Sequence, residues 1–241
     1  MAKGTLSPIA LLNEFRNIGT TADAVYQVLR RWIISGALPA GQKLRAAALS
    51  QKIKVSRTPV RDALRKLEAE GLVTSSPHGL TVAELGEQDL TEIFQLREAL
   101  EGAAARLAAE NATRVEVEKL HELINDMEAV CSRGDVEAMR GLAAEYQDVI
   151  CSASRNERMR QLLRTLRDRT RQFQTSVFNI PGQPVQVLAN YRTLLHAIET
   201  RDGDRAEQIA REHRSKNLAL RKRLLRDQIR GGRKDNALHS K

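Results

Sequence analysis

The stretch Val55-Ser56-Arg57-Thr58-Pro59-Val60-Arg61-Asp62-Ala63-Leu64-Arg65-Lys66-Leu67 decides how the chain is read, because it carries two different helical stripes. Val60, Ala63, Leu64 and Leu67 recur at the spacing that gathers apolar side chains on one helix face, while Arg57, Arg61 and Arg65 recur every four residues on another. At the start, Thr58 is placed to cap free N–H groups, Pro59 suits the first helical position, and Asp62 complements the positive helix end. Arginines clustered at a helix N-terminus suit reading of the DNA major groove, since a guanidinium can bridge O6 and N7 of guanine with two hydrogen bonds. A solvated basic face is the plainer alternative, and periodicity alone leaves both open.

The flanks narrow the choice. Val25, Val28, Leu29 and Trp32 predict an amphipathic helix that Gly36-Ala37-Leu38-Pro39-Ala40-Gly41 breaks; a short second helix follows over Ala46 to Ile53, then the turn Lys54-Val55-Ser56. On the other side, Leu72-Val73-Thr74 and Leu80-Thr81-Val82 read as two short strands around Ser75, Ser76, Pro77, His78 and Gly79, which makes a wing. Gly79 lets the backbone approach closely and His78 at the tip can reach a phosphate or the minor groove, against the alternative of a polar turn.

Gly36-x-x-x-x-Gly41-x-x-Leu44, then Val55 to Leu64 as quoted, then Leu67-Glu68-Ala69-Glu70-Gly71-Leu72-Val73, resemble the winged helix of GntR-family transcription regulators over about residues 21–84. The resemblance implies that Arg57, Thr58 and Arg61 contact operator DNA, with help from His78 and Gly79 in the wing; Ser56 joins this candidate set. Arg45-Ala46-Ala47-Ala48 departs from the polar or charged residues that relatives often carry there, although Arg45 itself can reach a phosphate.

From Glu87 onward the sequence predicts six helices, at roughly 87–110, 113–133, 135–153, 156–178, 184–202 and 203–226, divided by Asn111-Ala112-Thr113, Gly134, Asn156, Pro181-Gly182 and Asp202-Gly203. Their order, opened by Leu96-Arg97-Glu98-Ala99-Leu100-Glu101, resembles the FadR-type C-terminal ligand-binding domain, called FCD, of the same regulators. That domain often holds a divalent metal through one Asp and three His. By the resemblance those positions fall here on Ala143, Gln147, Tyr191 and His213, a poor donor set, so neither a metal nor another cofactor is expected.

Periodicity independently turns several of these residues inward. Met139, Leu142, Ala143, Tyr146 and Ile150 form one stripe with Gln147 at its edge, Tyr191 lies on the stripe of Val187, Leu194 and Ile198, and His213 continues Ala206, Ile209 and Ala210 toward Asn217. Arg97 interrupts the stripe Ile93, Leu100, Ala104 and Leu107. A buried guanidinium needs a partner, either Glu101 four residues on or an anionic effector, and the two can coexist. The candidate effector residues are therefore Arg97, Gln147, Tyr191 and His213, with a satisfied core histidine as the alternative for the last. Of the seven arginines between 155 and 171, most are expected in solvent, with Leu163 and Leu166 marking the inward edge.

Composition fits this mostly helical outline. The chain has 241 residues, 41% hydrophobic and only 3% aromatic, which favours helices packed by aliphatic side chains over a sheet sandwich. Its net charge of +9 is uneven: +6 over residues 1–85, −3 over 86–220 and +6 over 221–241. We therefore expect an N-terminal arm (1–20), a winged helix-turn-helix (21–85), a helical effector-binding and dimerisation domain (86–226) and a basic flexible tail (227–241). No apolar run approaches the roughly 18 residues of a membrane helix, and no secretory core opens the chain, so a cytoplasmic protein without membrane contact is expected. Cys131 and Cys151 lack C-x-x-C spacing and read as free thiols.

Three function classes follow. The leading one is a homodimeric regulator, a repressor by resemblance, that binds an inverted-repeat operator in double-stranded DNA and responds to a small molecule, with an anionic metabolite as one candidate class. A non-specific DNA-organising protein is the alternative suggested by the basic ends, though base readout by Arg57, Thr58 and Arg61 argues against it. An all-helical enzyme finds no Ser/His/Asp, Cys/His, phosphate-loop or paired-carboxylate motif in its support.

Overall fold

The computed structural model describes residues 8–15, 19–171 and 177–238. The chain divides into two compact units, Met1–Leu85 with Arg167–Gln174, and Gly86–Leu166 with Thr175–Lys241.

The first unit runs α1 (Pro8–Phe15), α2 (Thr21–Ile34), β1 (Lys43–Leu44), α3 (Ala46–Ile53), α4 (Arg57–Ala69), β2 (Val73–Ser76) and β3 (Gly79–Val82). Thr20 and Asp23 start α2 by capping each other: the Asp23 N–H donates to Thr20 Oγ1 at 3.2 Å and the Thr20 N–H to the Asp23 carboxylate at 3.0 Å. The expected stripes are the core. Val25, Val28, Leu29 and Trp32 of α2 pack with Val60, Ala63, Leu64 and Leu67 of α4 and with Ile53 of α3, each large aliphatic side chain contributing about 1.5–3 kcal/mol on full burial.

Two details of this unit differ from the sequence reading. The expected arm contains α1, whose Leu12 is buried in the same core, because an apolar turn that can shed water on α2 and α3 does not stay extended. The expected two-stranded wing is a three-stranded antiparallel sheet in the order β1-β3-β2. Lys43 pairs with Thr81 and Leu44 with Leu80, extended by bonds from Gly41 N–H to the Val82 carbonyl at 3.0 Å and from Val82 N–H to the Gln42 carbonyl at 2.9 Å. Gly41 sits at φ +78, a conformation in which other residues are strained. Two residues hold no readable alternation, so only the partner strand identifies β1.

After residue 85 the described residues hold six α-helices: α5 (Glu87–Asn111), α6 (Arg114–Ser132), α7 (Val136–Ala153), α8 (Glu157–Arg171), α9 (Gln183–Glu199) and α10 (Gly203–Leu238), all in the second unit except the end of α8 from Arg167. The predicted breaks coincide with caps. Thr113 and Glu116 form a capping box at α6, Asp135 accepts the Ala138 N–H at 3.0 Å at α7, and Gly182 precedes α9 at φ +79. Arg201, left-handed after α9, donates to the carbonyls of Ala109 and Ala112 at 2.9 and 2.8 Å, satisfying acceptors that the end of α5 leaves open. The main hydrophobic cluster is built of aliphatic side chains and methionines with Tyr146 and Tyr191 as its aromatics, and Phe94 of α5 is fully buried as well.

Three boundaries and exposures are corrected here. The helix expected over 156–178 is described only to Arg171, and Val177–Asn179 form a short 3-10 turn. The last helix, expected to end at 226 and fray through Gly231-Gly232, continues to Leu238, since an internal glycine costs a helix only about 1 kcal/mol. Arg155, before α8, and Arg158, Arg160 and Arg164 within it are exposed as expected, but Arg167 is buried. Neither cysteine forms a disulfide; Cys151 is buried and Cys131 partly so. No helix among the described residues is long and apolar enough to cross a membrane.

Candidate DNA interface and the buried polar cluster of the bundle

The first candidate site is the N-terminal end of α4. Its N-cap is Ser56, extended at φ −67 and ψ 167, and the Ser56 side chain makes no capping hydrogen bond. This corrects the expected register by two residues: Thr58 stands in the second helical position and Pro59 in the third, which still lies in the first turn, where no intrahelical acceptor is lost to proline. Asp62 lies beyond that turn and instead faces Arg65 at 3.8 Å. Ser56, Arg57, Thr58 and Arg61 are all exposed. An uncapped helix start with a free hydroxyl and two guanidinium groups can hold a phosphate on its N–H groups and present arginines to base edges.

Two neighbouring elements contribute to the same unit. Arg45 is the N-cap of α3, exposed and without a side-chain capping bond, so its charge remains available. The wing turns tightly through Pro77-His78, with Ser76 paired to Gly79. The Ser76 hydroxyl donates to the Gly79 carbonyl at 3.0 Å and accepts the His78 N–H at 3.2 Å, which fixes the tip and leaves the His78 ring exposed. Gly79 has φ +105 with open space around its missing Cβ, so its role here is conformational.

In the second unit the structure brings three of the four candidate effector residues into one buried network. Arg97 and Glu101 are 6% and 4% exposed, and Arg97 donates to the carboxylate at 3.0 and 2.9 Å. Glu101 also accepts from Arg214 of α10, a buried residue that the sequence reading did not single out. Next to it in the chain, His213 is partly buried, and desolvation of its ring, followed by the adjacent Arg214 charge, pushes its pKa down to about 3. The ring is therefore neutral at neutral pH; with Asn217 Nδ2 at 3.0 Å, Nε2 is the accepting nitrogen and Nδ1 carries the proton. Tyr191 lies 5.6 Å from His213 between ring centroids and stacks on Tyr146 at 4.3 Å, with planes 7° apart. The Tyr146 hydroxyl donates to the Tyr191 carbonyl at 2.8 Å. Gln147 is partly buried on α7 and makes no hydrogen bond among the described residues, so nothing ties it to this network.

This arrangement does not fit a divalent metal. Of the four positions the resemblance points to, one is an alanine methyl, one an amide outside the network, one a stacked phenol and one an imidazole whose accepting nitrogen already has a partner. Nor do any three His, Cys, Asp or Glu side chains converge among the described residues. What the cluster offers instead is positive charge. The guanidinium carbons of Arg97, Arg214 and Arg221 lie 5.3, 6.0 and 5.9 Å from the ring centroid of Phe94. Arg214 and Arg221 stand at seven-residue spacing on α10. That spacing is visible in the sequence, but on a helix so rich in arginine it is no signal by itself.

Similar proteins agree with these two units. Residues 21–82 match the profile of bacterial regulatory proteins of the gntR family, and residues 92–216 match the FCD domain. The chain is 34% identical over 138 residues to the "Probable D-xylose utilization operon transcriptional repressor" of Paenarthrobacter nicotinovorans, an alignment covering 57% of this chain and 61% of that one. It is 27% identical over 195 residues to the HTH-type transcriptional regulator McbR of Escherichia coli, covering 80% and 88%. The solved structure of E. coli McbR/YncC superposes with a TM-score of 0.73 at 26% identity, over 84% of this chain and 97% of that one. With a gntR-type winged helix followed by an FCD domain, the chain belongs to the GntR family of transcription regulators.

Proposed function

We propose that the chain acts as a homodimeric repressor that recognises an inverted repeat in double-stranded DNA and is modulated by a small anionic metabolite. We assign residues 21–85 to DNA binding and 86–226 to effector binding and dimerisation. The observation that carries the reading is the uncapped, exposed start of α4, where Ser56, Arg57, Thr58 and Arg61 stand together. In this reading Arg57 and Arg61 read base edges, Ser56 and Thr58 hold phosphate, and Arg45, His78 and Gly79 place the flanking helix and wing on the backbone. The naming of one relative as a repressor supports the sign of regulation. An effector can act only by binding the two arrangements of a dimer with different affinity, and the network around Arg97, Tyr191 and His213, to which Gln147 is not joined, is where such a molecule would act.

Selection of bound sequences from random duplex DNA, at fixed near-physiological salt, tests this reading. Enrichment of a short inverted repeat is the expected result. Binding without any enriched sequence would replace it with the DNA-organising alternative.

A further inference from the structure

Arg97, Arg214 and Arg221 all lie within 6.0 Å of one ring, that of Phe94, yet they are not equally matched by negative charge. Arg97 and Arg214 share the Glu101 carboxylate. Arg221 makes no hydrogen bond or ion pair among the described residues, and its Nη1 is buried without an acceptor. The Nε of Arg214, a residue only 6% exposed, is likewise buried without an acceptor, as is the Nε of Arg140 on α7. The environment disfavours the charge on Arg221: burial first, then the Arg214 and Arg140 guanidinium groups, push its pKa down to about 10. A buried charged donor left without an acceptor is costly, and a helical bundle that merely needed volume would be served better by methionine or leucine here.

We propose that Arg214 and Arg221, backed by Arg97 and flanked by Arg140, form the binding site for a small, doubly charged oxyanion of the dicarboxylate or phosphate-monoester type. Three buried guanidinium nitrogens without an acceptor, one on each of three arginines, call for more acceptor oxygens than the Glu101 carboxylate presents. Arg140 pairs through its Nη1 with Glu137 at 3.5 Å, so Arg97, Arg214 and Arg221 against Glu101 leave a surplus of two positive charges, which a dianion matches. The clustering around one ring requires a compact anionic group. Neutral His213 beside Arg214 adds no further cation. This deepens the effector reading given above and rests on it for the regulatory consequence, though not for the binding itself.

The test uses the full chain and its Arg221→Met variant, melted in succinate, inorganic phosphate or acetate, with chloride matching ionic strength, alongside operator binding in the same buffers. Succinate or phosphate should raise the melting temperature saturably, by about 5–10 °C at one hundred times Kd, and acetate should not. Which of the two acts identifies the source of the anion. Arg221→Met should melt no lower than the parent without anion and should lose the shift. The proposal is overturned if neither dianion acts, if the variant responds like the parent, or if the variant melts lower without anion, which would make Arg221 a satisfied structural residue. Specific operator binding without any dianion effect would sink this proposal alone. Failure of sequence-specific binding would sink the regulator reading instead.

Discussion

Replacing Glu101 with glutamine keeps the shape of the buried network and removes the one charge that Arg97 and Arg214 share. The side chains of Arg97 and Glu101 are 8% and 4% exposed, and that of Arg214 8%, so solvent screens little of the loss. The carboxylate accepts two bonds from Arg97, at 3.0 and 2.9 Å, and one from Arg214. Charge-assisted bonds of this kind contribute about 1.5–3 kcal/mol each, and glutamine retains one accepting oxygen, so roughly half of the sum is lost. Removing one partner of a buried pair typically costs about 3–5 kcal/mol, which agrees with that figure. At about 2–4 °C per kcal/mol for a chain of this size, the melting temperature should fall by about 6–20 °C. Far-UV circular dichroism follows the helices, and fluorescence of Trp32, the only tryptophan, reports the first unit separately. A Glu101→Gln variant that melts within about 2 °C of the parent would refute the argument, because the arginines would then be neutralised by something other than Glu101.

Arg61→Ala should weaken binding to the selected operator by about 1–3 kcal/mol, roughly five- to 150-fold, if Arg61 reads a base, while an equal loss on random DNA would make it a phosphate contact. His213 has a folded pKa below that of the unfolded chain, so the stability it confers is present above about pH 6.5 and is lost as pH falls toward about 3. Melting followed from pH 7 to 5 should show about 2 kcal/mol of this loss, and a His213→Gln variant with the same slope would contradict it. Elemental analysis of protein purified without chelator should find no stoichiometric zinc, nickel or manganese; one equivalent of any of them would overturn the reading of Ala143, Gln147, Tyr191 and His213.

What the sequence alone determined is what lies close along the chain. The stripes of α2 and α4, the arginine face of α4, the wing and the six-helix order of the second unit are periodic features with local punctuation, and a helix or hairpin places such residues on one face whatever surrounds it. Even the Arg97–Glu101 pair was legible, because four residues is one helical turn. Tertiary structure decided the rest. Strand β1 exists only beside β3, and the Tyr146–Tyr191 stack joins α7 to α9. Arg214 meets Glu101 across 113 residues of chain. Among the many arginines of α8 and α10, one sequence pattern covers both solvated side chains and buried ones. Burial sorts them, and burial is a property of what the neighbouring helices leave uncovered.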